Sequence, residues 1–528
     1  MLREAKYYGR MVLGTYRFLR APCQGDAGEV IRGQLARREE CFLETVRRVI
    51  FADPANPYHR MFQLAGCGFE DLAESVRRQG LESTLASVER QGVYLTHEEF
   101  KGRQPIIRSG QHLPAGPDSF LNPLVSGLMI SSSSGSSGPK VRTRYSTQDR
   151  LHRQVYWDLI RKELALEGRA YIEAKAILPN GSGFFSCLHQ ARAGGKVERW
   201  YTVGGTLAEA GHYRAGTNLL VFIARRLGAE VAYPSYLPPN DFSPVARWIA
   251  ARRAEGVAGA MSSPVSPAVR VAAAAAEQGL DIRGTIFISG GEALTEAKRR
   301  VIAAAGAEIY PGYWIHEIGP VGFSCRQMEC LNGVHLYQDS VAVISHRRRA
   351  PVADVEVDAL LFTTLLEWAP RVLINADMGD SGVIEPAPCR CTFAEVGFTT
   401  RIRDIASFAK LTGLGVTLVG TDVVQALEVA LPARFGGTPG DYQLVEYEGP
   451  NQTQLMLRMN PRLGRPPAES VRACFLEAIR PCPGGVGAAR LFRHAEAVEV
   501  VYQEPFATST GKVHPLHLLG TRHNRHAA

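Results

Sequence analysis

The stretch TIFISGGEALTEAKRRVIAAAGAEIY, residues 285–310, determines the fold class of this 528-residue chain. Its apolar start predicts a strand over Thr285–Ser289, and the helical spacing of the apolar residues that follow predicts a helix over Thr295–Ala305. A second strand is predicted over Glu308–Tyr310. This alternation of strand and helix favours an α/β domain with a largely parallel sheet.

Segments on either side of this unit follow helix or strand patterns as well. Helices are predicted over Glu39–Phe51, Phe69–Val88, Thr217–Leu227 and Ser266–Gln278, and strands over Leu124–Ile130 and Glu230–Tyr233. Towards the C-terminus the order becomes strand, strand, helix, strand, over Tyr442–Tyr447, Gln454–Met459, Ala468–Ile479 and Ala497–Gln503. We therefore expect an α/β fold with a large N-terminal domain, residues 1–403, whose mixed or parallel sheets are flanked by helices. A small, mobile α+β domain, residues 404–528, should follow it.

The composition excludes several classes of function. The chain is 45% hydrophobic and 21% charged, as in globular proteins, and its formal charge of +8 is modest for its length. No dense Lys/Arg run with interleaved aromatic residues is present, and no apolar stretch reaches the roughly 18 residues that span a bilayer. Nucleic acid and membrane are therefore not expected partners. The scattered cysteines and the absence of a signal-peptide core in Met1–Arg20 favour reduced thiols and a cytoplasmic location.

A serine- and glycine-rich loop, Ser131–Lys140, follows the apolar segment Leu124–Ile130. Glycines let backbone N–H groups approach a phosphate, serine hydroxyls donate to its oxygens, and a lysine adds positive charge. The loop lacks the pattern G-x-x-x-x-G-K-[ST], which argues against a kinase-like phosphate loop. A flexible linker is the alternative interpretation.

Five motifs together resemble those of the adenylate-forming superfamily, and they occur in that family's order. They are Ser133–Lys140, similar to [ST]-S-G-[ST]-T-G-x-P-K with one residue deleted before Pro139, then Phe287–Thr295, Tyr313–Glu317, Asn375–Gly382 with Arg401–Asp404, and Ala507–Val513. In the third motif, Trp314 and His316 replace the glycine and threonine of the family's Tyr-Gly-x-Thr-Glu. The resemblance covers Ala36–Leu516.

The resemblance implies a role for residues of each motif. The phosphates of ATP would contact Ser133, Ser134, Gly135, Ser136, Ser137, Gly138 and Lys140. Ser289, Gly290, Gly291 and Glu292 would line the adenine and acyl pocket, Tyr313 would stack on adenine, and His316 would lie at the phosphates. Glu317 would hold Mg²⁺, Asp380 the ribose, and Arg401, favoured over Arg403 by register, the ribose or phosphate. Lys512 would stabilise the adenylation transition state, and Asp404 would be the hinge.

Within the superfamily the chain looks nearest the phenylacetate–CoA ligase branch, on Ser263–Gly291, Asn332–His335, Leu361–Thr364 and Cys389-Arg-Cys391. The cysteine pairs offer enough soft ligands for one structural Zn²⁺. Cys325, Cys389 and Cys391 are the best three, with Cys330 or His335 as the fourth. The alternative is that these are buried free cysteines, which behave as small hydrophobic residues.

The function expected from this resemblance is that of a two-step ligase. An aromatic or other small carboxylic acid reacts with MgATP to give an acyl-adenylate, and the thiol of CoA or of a carrier protein's phosphopantetheine then displaces AMP. The alternatives are an amine acceptor or an unusual acid in a specialised natural-product pathway, and a non-catalytic nucleotide-binding relative. A homodimer is left open. His212, Tyr213, Phe222 and Tyr236 are candidates for the acyl pocket wall, and a proline at the hinge should impair thioester formation more than adenylation.

Overall fold

Helices dominate the first hundred residues, as the sequence predicts. The computed structural model describes residues 2–132, 142–203, 207–238, 241–349, 356–407, 410–413, 416–448, 453–480, 498–508 and 510–519. Its α-helices are α1 Leu2–Arg20, α2 Ala27–Ala36, α3 Arg38–Val46, α4 Pro57–Leu64, α5 Phe69–Gln79, α6 Leu81–Arg90, α7 His97–Phe100, α8 Thr147–Glu163, α9 Ser182–Arg192, α10 Leu207–Arg226, α11 Ser243–Ala254, α12 Val265–Glu277, α13 Glu296–Ala304, α14 Thr392–Glu395, α15 Gly420–Gln425, α16 Leu431–Phe435 and α17 Ala468–Ile479. No helix in these ranges combines the length and the apolar character needed to cross a membrane.

The strands fall mainly into one large and one small sheet. They are β1 Ile106–Arg108, β2 Gln111–Leu113, β3 Met129–Ser132, β4 Arg142–Tyr145, β5 Ala170–Ala174, β6 Val197–Val203, β7 Pro234–Leu237, β8 Gly259–Ser263, β9 Ile286–Gly290, β10 Glu308–Ile315, β11 Gly319–Phe323, β12 Val334–Leu336, β13 Val341–Arg349, β14 Glu356–Thr364, β15 Ala376–Pro386, β16 Thr400–Ser407, β17 Lys410–Gly413, β18 Val416–Val419, β19 Tyr442–Glu448, β20 Thr453–Met459, β21 Val498–Val501 and β22 Leu516–Leu519.

The large sheet has twelve strands in the order β13-β14-β15-β16-β12-β11-β10-β9-β8-β5-β6-β7. The half from β10 to β7 is parallel, and the other half is antiparallel. The parallel half arises because helices connect its strands, with α12 between β8 and β9 and α13 between β9 and β10. The carboxyl ends of β5, β8, β9 and β10 therefore meet at one edge of the sheet.

The C-terminal part of the chain forms a second, smaller unit with its own core. Four strands pair in the order β21-β20-β19-β22, and α17 packs on them around buried residues that include Leu457, Phe475 and Val498. The predicted strands and the predicted helix of this region are confirmed, whereas β22 was not predicted. A large α/β part followed by a small α+β part confirms the predicted fold class. The proposed boundary at 403/404 falls inside β16 of the large sheet and stays a prediction.

Three predicted elements differ from the structure. The helix predicted over Phe69–Val88 is two helices, because Gly80 between them has φ of 81°, which a continuous helix excludes. The strand predicted over Leu124–Ile130 begins only at Met129, and Gly127 packs against the backbone of Arg144. The strand predicted over Glu230–Tyr233 is wrong. The strand begins at Pro234 instead, at the sheet edge where a residue without an N–H is tolerated.

Candidate functional site

A cavity of about 1060 Å³ lies at the edge where the parallel strands end. Its wall includes Lys175 after β5, Ser262 at the end of β8, and the Ser289–Gly291 turn at the end of β9. Trp314 and Glu317, at and just after the end of β10, complete this side. Ligands of open α/β sheets bind in the crevice outside the carboxyl ends of the strands, so this cavity is the candidate active site.

The Gly290-Gly291 turn is shaped by the close approach of other groups. A Cβ on Gly290 would lie 2.6 Å from the carbonyl oxygen of Gly312 and 2.6 Å from the ring of Trp314. Gly291 has φ of 76°, and a Cβ there would lie 2.5 Å from the Nζ of Lys512. Glycine is therefore required at both positions, and the turn presents backbone rather than side chain to the cavity.

Lys512 reaches this turn from the far end of the chain. Its Nζ donates a hydrogen bond of 2.9 Å to the carbonyl of Gly291, and the side chain lines the cavity. A tight turn holds the lysine: its carbonyl accepts from the amide of Thr508 at 2.8 Å, and Gly511 has φ of 80°. Burial lowers the pKa of Lys512, and the nearby Glu292 opposes that effect. The structure thus places a half-buried ammonium group at the turn that the resemblance assigns to the adenine and acyl pocket.

Glu292 fixes the position of the segment that carries Lys512. Its carboxylate accepts hydrogen bonds from the amide of Ser266 at 2.6 Å and from the Ser266 hydroxyl at 2.8 Å. The Ser266 hydroxyl in turn accepts from the amide of Val513 at 3.3 Å. Glu292 therefore links the start of α12 to the C-terminal segment, and Ser289 and Gly290 rather than Glu292 face the cavity.

Tyr313 and Trp314 point to different parts of the molecule. The Tyr313 hydroxyl donates to Asp380 at 2.5 Å, its ring packs edge-to-face on Phe362, and it does not line the cavity. Burial and the Asp380 carboxylate raise the pKa of Tyr313. Trp314 lines the cavity and lies parallel to Trp157 with ring centroids 6.3 Å apart. The stacking role implied for Tyr313 stays a prediction, and of these two neighbours it is Trp314 that the structure places on the wall.

Glu317 faces a partner that the sequence did not reveal. Lys101 donates to its Oε1 at 2.6 Å, and the two side chains are 24% and 9% exposed. Burial favours a higher pKa for Glu317, but the charge of Lys101 and its hydrogen bond outweigh burial, so the pKa lies below its usual value. Lys101 follows α7, whose start is fixed by a capping box between Thr96 and Glu99. The T-x-x-E pattern of this capping box can be recognised in the sequence. The sequence does not show, however, that Lys101 lies next to Glu317 in the fold.

His316 lies beside Glu317 on the cavity wall. Burial lowers the pKa of its imidazole to about 4, even though the Glu317 charge favours the protonated form. Its Nε2 is buried with no hydrogen-bond partner among the residues that the structure describes. The imidazole is therefore neutral at pH 7, so this position adds no charge next to Glu317.

The ribose and hinge candidates lie outside the described cavity wall. Asp380 accepts from Tyr313 and from the Ser407 hydroxyl, and burial raises its pKa. Arg401 pairs with Glu385 at 2.6 Å, and Arg403 pairs with the same carboxylate at 3.1 Å. Their roles stay predictions. None of the acyl-wall candidates His212, Tyr213, Phe222 and Tyr236 is on the described wall either.

The phosphate-loop residues Ser133–Lys140 lie outside the described ranges, but the base of the loop does not. Ser131 and Ser132 end β3, and the Ser131 hydroxyl donates to the carbonyl of Asn180 at 2.5 Å. The Asn180 amide donates to the carbonyl of Ser132 at 2.9 Å. Ser131 and Asn180 both line the cavity, so the loop begins at its wall.

A second cluster lies apart from the cavity wall and has the chemistry of a metal site. Cys325, His335, Cys389 and Cys391 place their ligand atoms within 4.8 Å of one another. The Sγ atoms of Cys325 and Cys389 are 3.7 Å apart, and the His335 Nε2 lies 3.0 and 3.2 Å from the Sγ atoms of Cys389 and Cys391. A tetrahedral Zn²⁺ with bonds of about 2.0–2.3 Å requires ligand separations of about this size.

The surroundings of the cluster support the same reading. The Nδ1 of His335 lies 2.9 Å from the carbonyl oxygen of Phe398, a contact that leaves Nε2 as the ligand atom. Cys330 does not join the group, so His335 is the fourth ligand candidate of the two that the sequence left open. The four residues fit a structural Zn²⁺, with every tetrahedral position taken by protein.

The fold is similar to that of proteins of known structure. No protein-family model and no curated protein sequence matches this sequence. The structure of 2-hydroxyisobutyryl-CoA ligase in the postadenylation state, in complex with R3-HIB-AMP, is similar over 94% of this chain and 91% of that one, with 15% identity and a TM-score of 0.52. The same ligase in complex with 2-HIB-AMP has the same identity and coverage and a TM-score of 0.51. The chain therefore has the fold of this CoA ligase over nearly its whole length.

The cysteine–histidine cluster predicts that the purified protein carries about one zinc per chain. Cys389→Ser removes a central ligand, so we expect most of the metal to be lost and the Tm to fall by several degrees. Cys330→Ser is the matched control, because this cysteine is close in sequence but outside the cluster, and its metal content should be unchanged. Metal analysis measures the zinc content of the two variants, and thermal unfolding measures their Tm. Equal metal content in the two variants would contradict the assignment of the cluster as a zinc site.

The Lys101–Glu317 pair predicts a specific pattern of stability. Lys101→Met leaves the Glu317 carboxylate buried without its cation, which should lower the free energy of unfolding at pH 7 by about 1–3 kcal/mol. The loss should shrink as the pH falls through the lowered pKa of Glu317, because the wild-type pair is lost there too. Adding Glu317→Gln to Lys101→Met should recover part of the loss. Denaturant unfolding of the wild type, the two single variants and the double variant measures the free energy of unfolding of each. Strictly additive losses in the double variant would argue against a stabilising Lys101–Glu317 ion pair.

Proposed function

We propose that this protein activates a carboxylic acid with ATP and then transfers the acyl group to a thiol. The single observation that carries the proposal is the contact between the Lys512 ammonium and the Gly291 carbonyl at the cavity. Two motifs that lie 221 positions apart in sequence meet there, as the resemblance to adenylate-forming enzymes requires. The fold, shared with a CoA ligase whose structure holds 2-HIB-AMP, supports the same chemistry.

In the first step, a carboxylate oxygen of the acid attacks the α-phosphorus of ATP, and pyrophosphate leaves. Negative charge develops on the oxygens around that phosphorus. Lys512 is held at the Gly291 turn before the reaction begins, so its ammonium can stabilise this charge without reorganising. Partial burial of the lysine strengthens the effect, because charges interact more strongly where water is partly excluded.

The nucleotide would lie between the Gly290-Gly291 turn and Glu317. The loop Ser133–Gly138 would hold the β- and γ-phosphates, Asp380 the ribose hydroxyls, and Arg401 the ribose or a phosphate. Mg²⁺ fits this arrangement, because Glu317 faces the cavity and the ion pair with Lys101 engages only Oε1. When bound, Mg²⁺ would neutralise phosphate charge, while Lys101 keeps the Glu317 carboxylate ionised.

In the second step, a thiol sulfur attacks the acyl carbon, the bond to AMP breaks, and the thiol proton passes to solvent. CoA and a carrier protein's phosphopantetheine arm are both acceptors of the required chemistry. The acid would be aromatic or otherwise small, as in the phenylacetate–CoA ligase branch, and the enzyme would belong to a specialised pathway. An amine acceptor is the alternative for this step.

ATP–pyrophosphate exchange tests the proposal. Labelled pyrophosphate should enter ATP only when a suitable acid from a broad panel is present, because exchange requires reversal of acid adenylation. Mass spectrometry of the products with CoA or a carrier protein then identifies the acceptor. No acid-dependent exchange with any acid of the panel would favour a nucleotide-binding protein without catalysis.

Lys512→Ala should lower the rate of acid-dependent exchange by roughly two to three orders of magnitude, the scale for losing one preorganised transition-state donor. Lys162→Ala is the matched control, since Lys162 is 69% exposed on α8 and outside the cavity wall. Its exchange rate should equal that of the wild type. Undiminished exchange in Lys512→Ala would remove this lysine from the mechanism.

The backbone conformation of Asp404 reverses the expected effect of a proline at the proposed hinge. Asp404 has φ of 54°, and proline fixes φ near about −65°. Asp404→Pro therefore excludes the conformation in which Lys512 contacts Gly291, rather than locking it. We now expect this variant to lose adenylation more than thioester formation.

Pyrophosphate exchange measures the first half-reaction of Asp404→Pro, and thioester formation from a preformed acyl-adenylate measures the second. Asp404→Gly is the control, because glycine adopts positive φ without strain and should retain both half-reactions. Equal losses in the two half-reactions of Asp404→Pro would contradict a hinge at this residue.

A further inference from the structure

Arg150 is a buried cation on the cavity wall that the two-step mechanism does not use. It lies in the first turns of α8, whose start is capped by the Ser146 hydroxyl, which accepts from the amide of Asp149. The residue is 6% exposed. Arg150, Arg153 and Trp157 all line the cavity, because their spacing places them on one face of the helix.

Two aromatic rings hold the guanidinium of Arg150. Its Cζ lies 4.2 Å from the ring centroid of Tyr145 and 3.7 Å from that of Phe185. Such contacts engage the faces of the planar guanidinium, whereas its N–H donors point along its edges. The Tyr145 ring is itself fixed, since its hydroxyl donates to the carbonyl of His316 at 3.1 Å. Arg150 is therefore positioned before any ligand arrives.

The donors of Arg150 have no acceptor in the described part of the chain. Its Nε is buried without a hydrogen-bond partner, and no carboxylate there pairs with the group. The adjacent carboxylate, Asp149, is taken by Arg153 through hydrogen bonds of 2.7 and 3.1 Å. Burial, together with the charge of Arg153, lowers the pKa of Arg150 to about 10, so it is still charged at pH 7.

An uncompensated charge in such a place is costly, and proteins pair buried charges. The described wall of the cavity has two acidic residues, Asp118 and Glu317; neither makes an ion pair with Arg150, and Glu317 is paired with Lys101. A role in packing alone would not require a guanidinium, because an apolar side chain between two rings would avoid the desolvation cost. An anion that enters the cavity would supply the partner that Arg150 lacks among the described residues.

We infer that Arg150 is an oxyanion-binding residue of this cavity, which takes a pair of phosphate or carboxylate oxygens in a forked hydrogen bond. Planar, bidentate recognition of such groups is the geometry to which a guanidinium is suited. The naming of the ligand rests on the proposed function. It is either the phosphate tail of ATP or a second acidic group on the acid substrate, and the two sources share this chemistry.

Binding measurements on three variants test the inference. Arg150→Met removes charge and donors, Arg150→Lys keeps the charge but loses the fork, and Arg226→Met is the matched control. Arg226 lies over the ring of Phe222 at 5.1 Å, outside the cavity wall. The probes for calorimetry are inorganic pyrophosphate, a non-hydrolysable ATP analogue, AMP, and a series of small dicarboxylates with their monocarboxylate analogues.

Arg150→Met should weaken one class of probe by on the order of 10- to 100-fold, the scale for hydrogen bonds to charged groups, with Arg150→Lys between it and wild type. Weaker pyrophosphate and ATP-analogue binding with unchanged AMP binding assigns Arg150 to the phosphate tail. Weaker dicarboxylate binding with unchanged pyrophosphate binding assigns it to a second acidic group. Unchanged affinity for every probe in folded Arg150→Met protein would overturn the inference.

Thermal unfolding without ligand provides an independent readout. If Arg150 serves ligand binding, Arg150→Met should leave the Tm nearly unchanged or raise it, because removal of a buried unpaired charge offsets the loss of the two ring contacts. A lower Tm with unchanged probe binding would show a packing role and overturn the inference. None of these measurements needs turnover, so a wild type without acid-dependent exchange would remove the proposed function and leave the oxyanion result standing.

Discussion

The contact between Lys512 and the Gly291 carbonyl is the interaction on which the candidate site depends. It requires a glycine with positive φ at the end of β9, since any side chain at Gly291 would take the space of the ammonium. It also requires the small C-terminal unit to lie over the edge of the large sheet. Glu292, Ser266 and Val513 supply that connection through a chain of hydrogen bonds. One turn therefore links the parallel sheet, α12 and the C-terminal segment.

The electrostatics of the cavity follow from the same arrangement. Burying Arg150 and half-burying Lys512 at the cavity wall costs desolvation free energy, and the described wall supplies little negative charge to offset it. Glu317, one of the two carboxylates on that wall, is paired with Lys101, and Asp149, next to Arg150 in sequence, is paired with Arg153. A cavity with such an excess of positive charge is matched to polyanionic reactants. A nucleoside triphosphate and a carboxylate are anionic reactants of this kind, so the charge of the cavity agrees with the proposed chemistry.

Local patterns in the sequence predicted those parts of the structure that depend on neighbours in the chain. The β9–α13–β10 unit is one, because periodicity and the Gly-Gly turn are local signals. Lys101 and Arg150 were missed, since their meaning comes from Glu317 and from the rings of Tyr145 and Phe185, which only the fold brings near. The placement of Tyr313 shows another limit. A register shift between Tyr313 and Trp314 changes the direction of the side chains of β10, and no residue pattern in the sequence predicts this shift.

The cysteine–histidine cluster was predicted in part from the local sequence pattern and in part required the fold. Cys389-x-Cys391 is a local signal, but the choice between Cys330 and His335 depends on the pairing of β12 with β16, which brings His335 next to the segment between β15 and β16 that carries the two cysteines. The central claim, attack of a carboxylate on the α-phosphorus of ATP, is tested most directly by isotope transfer. With an acid labelled with ¹⁸O in its carboxylate, the account predicts that the AMP released carries one ¹⁸O atom. AMP without the label, or release of ADP and phosphate instead, would contradict it.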